Sequence, residues 1–481
     1  MALPDEQILE QNPWWTSQNW RLSDPHLRLF DAQPVRLAAD FVARLDLRSP
    51  AIHILRGPRQ VGKSTDLKLL VERALTEGID ARSIVYVALD LLEGRHLSEM
   101  AATVRRALDL ADRRAPGLLL LDEVTAVKGW QTAVKSLWDQ GLIREDLVVC
   151  TGSSAIDLQR DAAERLPGRR RGGLDHLVLP QSFGAFAHAI DSDIPLSPGL
   201  TVADLSGSDG EALLREMRLY APALAAALER YLRFGGLPAA VAEAAGGARE
   251  PSAEVKRVLW DSLLRELQRR GASIPAAHAL LERVVRSLGA KVSWSGMARE
   301  TGVPLGRGAS PPNHVTLRDY MELLAAGYFL FIAYFWRSGS QNNEISKDKK
   351  VFFADPLLHT IALESAPGLR IDTSALVENA VGIALLRRYE PHERLIESFV
   401  LPERLHIWQT ARGGEIDFVC GPRLALDLVE VKYRENPSLS AAAAAARAQP
   451  GRPVAMATKN TLLVSDRYTL LPAHTLLWAL G

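Results

Sequence analysis

The run Gly57-Pro58-Arg59-Gln60-Val61-Gly62-Lys63-Ser64-Thr65 constrains this chain more than any other stretch. It follows a short apolar run, 51–55, and opens an amphipathic one, 66–75. G-x-x-x-x-G-K-[ST] between a strand and a helix reads as a phosphate-binding loop. Gly57 and Gly62 let backbone N–H groups wrap a polyphosphate, and the helix N-terminus adds partial positive charge. Lys63 is expected to reach the β- and γ-phosphates of ATP. Ser64 is expected to hold Mg2+, with Thr65 completing the nucleotide-binding motif. The plain alternative is an ordinary Gly-rich turn, against which the strand–turn–helix context argues.

With 481 residues the chain suggests two to four domains. Its 47% hydrophobic and 24% charged content is that of a globular protein. Lys plus Arg and Asp plus Glu balance at 57 each, so any DNA-binding surface must be local. Cys150 and Cys420 are the only cysteines, too few for a disulfide framework, which fits a reducing cytoplasm. Residues 1–11 carry acids and lack the apolar core of a signal peptide. The apolar stretch 320–336 contains Glu322 and is shorter than a spanning helix needs, so no membrane role is expected.

Between 50 and 190, apolar strand candidates (51–55, 83–89, 118–121, 147–150) alternate with helical patterns (64–76, 98–114, 131–140). This predicts an α/β fold, a parallel sheet with its loop site at the strands' carboxyl ends. The third strand ends in Asp122-Glu123. Asp122 is expected to contact magnesium through water, and Glu123 to orient or deprotonate the attacking water. Acids also cap helices at strand ends, which is the plain alternative. The fourth strand runs into Thr151-Gly152-Ser153-Ser154. Ser153 is the expected γ-phosphate contact there, against a simple turn. Four arginines follow, at 165 and 169–171. They read either as a solvated loop or as a source of charge, Arg169, for the transferred phosphoryl group, in cis or in trans.

A second constellation lies near the C-terminus. Leu376-Val377-Glu378-Asn379 begins an apolar helix, Glu415-Ile416-Asp417-Phe418-Val419 enters an alternating strand, and Leu428-Val429-Glu430-Val431-Lys432 is another. Alternation places Glu430 and Lys432 on one face, within reach of Asp417 on a neighbouring strand. Two carboxylates and a lysine on adjacent strands suit metal-assisted phosphodiester hydrolysis. Asp417 and Glu430 would bind Mg2+, Lys432 would orient water or phosphate, and Glu378 would complete the acidic shell. Cross-strand ion pairing on a solvated face is the alternative.

Several segments recur in a fixed order: 57–65, Leu121-Asp122-Glu123 with Gly129-Trp130, Thr151 to Ser154, and Leu166-Pro167-Gly168-Arg169. Leu179-Pro180-Gln181-Ser182-Phe183 and Phe234-Gly235-Gly236-Leu237-Pro238 complete the set. Together they resemble a large family of bacterial and archaeal AAA-type ATPases with a C-terminal domain of the PD-(D/E)XK nuclease type. The resemblance implies that Arg169 lies in the phosphate-sensing segment. It also implies that Glu378, Asp417 and Glu430-x-Lys432 form the nuclease-like site. A DNA-directed role, in defence or DNA processing, follows from it alone, as does metal-dependent deoxyribonuclease activity.

The expected organisation is a lead-in (1–45), a P-loop ATPase with a helical lid (46–245), a winged-helix-like connector (246–350) and a restriction-endonuclease-like α/β domain (351–481). The three lead-in tryptophans, Trp14, Trp15 and Trp20, are expected to pack on the ATPase. The connector carries 293–303 at helix–turn–helix spacing, with 315–325 as its recognition helix. That helix is poor in cations, so packing or assembly is its expected use over base reading. A homo-oligomer is a further expected partner. The basic segment 347–350 reads as a phosphate contact or a solvated loop. No small-molecule substrate besides the nucleotide is expected. The rival to a nuclease is a nucleotide-driven switch or scaffold whose C-terminal domain only binds DNA or another partner.

Overall fold

Strands β1 (Ala51–Arg56), β2 (Ile84–Ala88), β3 (Leu118–Asp122), β4 (Leu147–Thr151) and β5 (Asp175–Leu177) form a parallel sheet in a computed structural model of the chain. The structure describes all residues except 1, 93, 95, 114–115, 153–165, 167–168, 270, 303–312, 337–343, 365, 367, 370–371, 393, 410–414, 423, 439, 450 and 466–467. It divides into two units, Met1–Leu179 and Pro180–Gly481.

In the first unit, helices Lys63–Thr76, Leu97–Ala111 and Trp130–Asp139 alternate with the strands, as their periodicity predicts. The sheet order is β2-β3-β4-β1-β5. Strands β3 and β4 are buried along their whole length, which is why they read as unbroken apolar runs. The order sets β4 between β1 and β3. Register pairs Leu55 with Thr151 and Leu121 with Cys150, so the carboxyl ends of β1, β4 and β3 are neighbours.

Strand β2 lies at the sheet edge, and the lead-in covers it with side chains. The Asn12 amide accepts from Tyr86 N–H at 2.7 Å and donates to Tyr86 O at 2.9 Å. Gln11 Oε1 accepts from Ala88 N–H at 2.8 Å. The indoles of Trp14 and Trp15 both donate to Ile84 O. Side-chain amides and indoles thus take the place of a neighbouring strand and leave no open template for another chain. The lead-in tryptophans pack on this sheet, as expected.

The second unit carries a mixed sheet, ordered β12-β13-β11-β10-β9-β8-β6-β7. Its strands are β6 (Leu330–Phe335), β7 (Glu344–Phe353), β8 (Leu405–Gln409), β9 (Glu415–Cys420), β10 (Asp427–Lys432), β11 (Val454–Thr458), β12 (Leu463–Val464) and β13 (Thr469–Pro472). Two boundaries shift from those expected. Helix Phe183–Ile190, expected in the ATPase sheet region, and Ala221–Phe234, within the expected lid helix, pack within this unit, where the first break falls after Leu179. The break expected at 350 falls inside β7, because β6 and β7 continue the sheet that carries the acidic residues.

The motifs at 179–183 and 234–238 have a shared structural cause. Gln181 N–H donates to Gly236 O at 2.6 Å, and a Cβ on Gly236 would lie 2.0 Å from Gln181 O. Asp355 accepts from Gly236 N–H at 2.8 Å and from Leu357 N–H at 2.9 Å. Burial pushes its carboxyl up to about 6. Only residues without side chains let the segments approach this closely.

Among the described residues, no helix is long and apolar enough to cross a membrane.

Candidate functional sites

Gly57 opens the phosphate loop with φ 147°, and a Cβ there would meet Val178 O at 2.1 Å. Gly62 turns the chain into the helix Lys63–Thr76 with φ 99° and is its N-cap. Lys63 Nζ donates to Gly57 O at 3.0 Å and Pro58 O at 2.8 Å, so its ammonium already lies over the loop. Burial pushes that ammonium's pKa down, while Glu123 and Asp122 oppose the shift. Ser64 and Thr65 follow it in the first turn.

Asp122, the last residue of β3, is buried and held from several sides. Tyr86 OH donates to its Oδ2 at 2.8 Å. The Thr151 hydroxyl donates to its Oδ1, and Glu123 N–H reaches Oδ1 at 3.1 Å and Thr151 Oγ1 at 3.0 Å. Glu123 itself has φ 52°, a left-handed conformation that turns the chain out of the strand. Thr151 and Tyr86 were not singled out as site residues from sequence. Thr151 belongs to the hydroxyl cluster that ends the fourth strand, where the sequence pointed to Ser153 instead. Ser153 lies outside the described residues.

Behind Tyr86 sits a buried cation. Lys68 Nζ lies 3.6 Å from the Tyr86 ring centre and 3.6 Å from Asp24 Oδ2, and donates to Gln11 O at 3.2 Å. Burial pushes it down to about 8, opposed by the charges of Asp24 and Asp122. The lead-in, the edge strand and Asp122 are thereby joined through one tyrosine.

The arginines that follow are paired. Arg169 Nε binds Asp139 Oδ1 at 2.8 Å, Arg170 binds Asp175 at 2.6 Å and Arg171 binds Glu145 at 2.8 Å. Arg165 lies outside the described residues.

In the second unit, Glu378 comes from the helix Thr373–Tyr389, capped by Asp372, which accepts from Ser374 and Ala375 N–H. One turn on, a Cβ at Gly382 would sit 2.9 Å from the rings of Phe331 and Phe418. Glu378 and Gly382 share a face, so the missing side chain lowers Glu378 onto the sheet. Asn379 fastens the same turn to β7, accepting from Phe353 N–H at 2.7 Å and donating to Phe353 O at 2.9 Å.

Strands β9 and β10 pair regularly to Val429↔Phe418. Beyond that the acids take over the ladder. Val431 N–H donates to Asp417 Oδ2 at 2.9 Å and Asp417 N–H to Glu430 Oε2 at 3.3 Å. Lys432 Nζ contacts Glu430 Oε1 and lies 3.8 Å from Asp417 Oδ2. The structure therefore brings Glu378, Asp417, Glu430 and Lys432 into one cluster.

It adds a residue read differently from sequence. Lys350, expected in a phosphate contact or solvated loop, is 1% exposed on β7. Its Nζ lies 2.7 Å from Glu378 Oε1, 2.9 Å from Glu415 Oε1 and 3.1 Å from Asp417 Oδ1. Those carboxylates hold the lysine charged, well above its ordinary range. Burial, with Asp417 adding its charge, pushes both Glu378 and Glu430 up to about 7. The expectation that Glu378, Asp417 and Glu430 gather around a divalent ion meets a difficulty here. Ammonium groups divide them, Lys350 on one side and Lys432 on the other. Among the described residues, no group of three or more His, Cys, Asp or Glu is arranged to hold a metal ion.

Residues 49–187 match the family described as an AAA domain, and residues 225–367 match a domain of unknown function (DUF8612). The first match spans the phosphate loop and strands β1 to β5 of the parallel sheet. No curated protein matches the chain in sequence. Among solved structures it is similar to the Aeropyrum pernix ORC1 protein in complex with DNA, at 14% identity and TM-score 0.30, over 73% of this chain and 92% of that one. It is also similar to the Aeropyrum pernix ORC2 protein with ADPNP and ADP, at 13% identity and TM-score 0.33, over 68% and 90%. A replication initiator DnaA bound to AMPPCP and single-stranded DNA aligns at 13% identity and TM-score 0.23, over 66% and 91%.

Proposed function

We propose that this chain is an ATP-hydrolysing switch whose second unit is a nuclease-like domain that binds DNA or another partner. The observation that carries the ATPase half is Asp122. It is fixed by Tyr86 and Thr151 at the strand end next to the loop that carries Lys63. A buried carboxylate with a set direction beside a phosphate loop suits metal-nucleotide binding. Ser64 and Asp122 would hold Mg2+, which neutralises phosphate charge when bound.

In this reading Lys63 leaves the loop carbonyls for the β- and γ-phosphates. Glu123, aimed out of β3 by its left-handed backbone, orients and deprotonates the attacking water. Ser153 contacts the γ-phosphate. Arg169 supplies charge to the transferred phosphoryl group by exchanging Asp139 for phosphate. An ion pair at this exposure is weakened by solvent screening, so the exchange is cheap.

The C-terminal half rests on chain order and placement. Glu378 on a helix, Asp417 on one strand and Glu430-x-Lys432 on its neighbour fit a restriction-endonuclease-like domain. The helices Ile274–Ser287, Trp294–Thr301 and His314–Ala326, followed by β6 and β7, fit a winged helix, with Val292 bridging to Lys349. Arg318 on its third helix is spent on Asp319 and Glu322, which favours packing over base contact. A nuclease is the second reading, favoured by the converged acids and Lys432. The buried Lys350 ammonium among them favours binding without cleavage.

The test is ATP turnover and cleavage of single-stranded, duplex and branched DNA with Mg2+ or Mn2+. Lys63→Ala and Glu123→Gln are expected to abolish turnover, with Glu123→Gln retaining nucleotide binding. Turnover unchanged in both variants would sink the ATPase reading. Cleavage lost in Asp417→Ala would establish the nuclease instead of the binding domain.

A further inference from the structure

Lys350 is built into its place from both sides. Its neighbour Lys349 is bridged to Val292 through paired backbone bonds of 2.8 and 2.9 Å, and its ammonium lies over the Trp294 ring at 4.7 Å. Three residues on, Phe353 is clamped by Asn379, from the same helix turn that supplies Glu378. Strand alternation then sends Lys350 to the face opposite Lys349, toward the acids. Gly382 lets that helix approach β6 and β9 through Phe331 and Phe418.

At the cluster every donor of the ammonium finds a carboxylate. A lysine ammonium carries three donors. Lys350 has three carboxylate oxygens within 3.1 Å, from Glu378, Glu415 and Asp417. Two of these carboxylates use their other oxygen as well: Glu415 Oε2 pairs with Lys291 at 3.0 Å, and Asp417 Oδ2 accepts Val431 N–H at 2.9 Å. Glu430 is engaged by Lys432 and by Asp417 N–H. A divalent ion placed here would compete with an ammonium already at hydrogen-bond distance from these carboxylates and would be repelled by its charge. Deleting one charge of such a buried set leaves the remainder unpaired, at high cost.

We infer that Lys350 is the resident cation of this cluster and stands where a nuclease of this architecture would carry its divalent ion. The inference rests on the nuclease-like reading of the second unit and deepens it. The domain as built holds a metal-free, lysine-neutralised site, which makes it a binding module in its resting form. Removing the ammonium frees Glu378, Glu415 and Asp417 for a divalent cation.

The test is direct Mn2+ uptake by the full-length protein without nucleotide, read by loss of the free-ion electron paramagnetic resonance signal. Wild type and Asp417→Asn are expected to take up Mn2+ equally. Lys350→Met is expected to gain one further equivalent, lost again in the double variant Lys350→Met/Asp417→Asn. It should also melt at a lower temperature, with Mn2+ restoring the loss. Lys350→Arg, which keeps the charge, should match wild type in uptake. Wild-type uptake that disappears in Asp417→Asn would overturn the inference, even if Lys350→Met fails to fold. So would a folded Lys350→Met that gains no ion. Neither readout depends on ATP turnover or DNA cleavage, so a failed nuclease reading and a failed inference give different results.

Discussion

The Tyr86 hydroxyl donates to Asp122 Oδ2 at 2.8 Å, joining the edge strand of the parallel sheet to the carboxylate beside the phosphate loop. Tyr86→Phe keeps the ring over Lys68 and removes only this donor. A hydrogen bond to a charged group contributes about 1.5–3 kcal/mol, so kcat for ATP should fall roughly 10- to 100-fold. Thr151→Val removes the donor on Oδ1, and the double variant should lose less than the product of the two effects, since both restrain one carboxylate. Steady-state turnover checks this; unchanged kcat in Tyr86→Phe would show that Asp122 needs no such restraint.

Arg169 and Asp139 form the second test. If Asp139 competes with phosphate for the guanidinium, Asp139→Asn should raise basal turnover by about two- to fivefold, the scale of a weak exposed ion pair. Arg169→Ala should lower kcat by about a thousandfold or more, as expected for a group contacting the transferred phosphoryl. Mixing Arg169→Ala with Lys63→Ala protein separates the modes, because only an arginine acting in trans restores activity in the mixture.

Asn12 makes both backbone bonds of Tyr86 at the sheet edge. Asn12→Ala leaves a buried N–H and C=O without these partners, at a cost of about 2–4 kcal/mol. Hydrogen exchange at Tyr86 and Ala88 should accelerate before that of β3. Equal protection in variant and wild type would mean that the lead-in merely covers the edge.

Gly382 lets the helix carrying Glu378 settle on Phe331 and Phe418. Gly382→Ala places a methyl group against those rings and should destabilise the protein by about 1–3 kcal/mol, the usual range for overpacking. Ala is the better helix former, so a stabilised variant would show that the contact is slack. Thermal or urea denaturation decides.

His359 is buried beside Phe353, and burial pushes its pKa down from 6.5 to about 4. A depressed folded-state value gives stability that is fully present above pH 6.5. It is lost as pH falls toward 4, because the unfolded chain binds the proton first. One such group contributes at most about 3 kcal/mol over that window. Asp355, pushed up to about 6, acts in the opposite sense, so the comparison must be between variants. His359→Leu should shrink the loss of stability between pH 7 and 4.5 relative to wild type. Parallel pH profiles would show that His359 is accessible to protons in the folded state.

Much of the first unit was legible in sequence because its signals are local. An apolar run, a Gly-rich turn and an amphipathic helix are contiguous, and Asp122 ends a strand whose four leucines must be buried. The same locality exposed Asp417 and Glu430-x-Lys432, since strand alternation fixes which side chains share a face; Glu378, on a helix, entered through the family resemblance. What tertiary structure decided was partnership across long separations. Tyr86 and Thr151 meet at Asp122 only because the sheet order sets β3 between β2 and β4, which no periodicity encodes. Lys350 looked like part of a basic, solvated segment because charge runs usually are. It became the buried centre of an acid cluster because β7 pairs with β6 at the end of a sheet whose other members lie more than fifty residues later in the chain. Local pattern sets what each segment forms; the charge a buried lysine meets is set by the strands that fold around it.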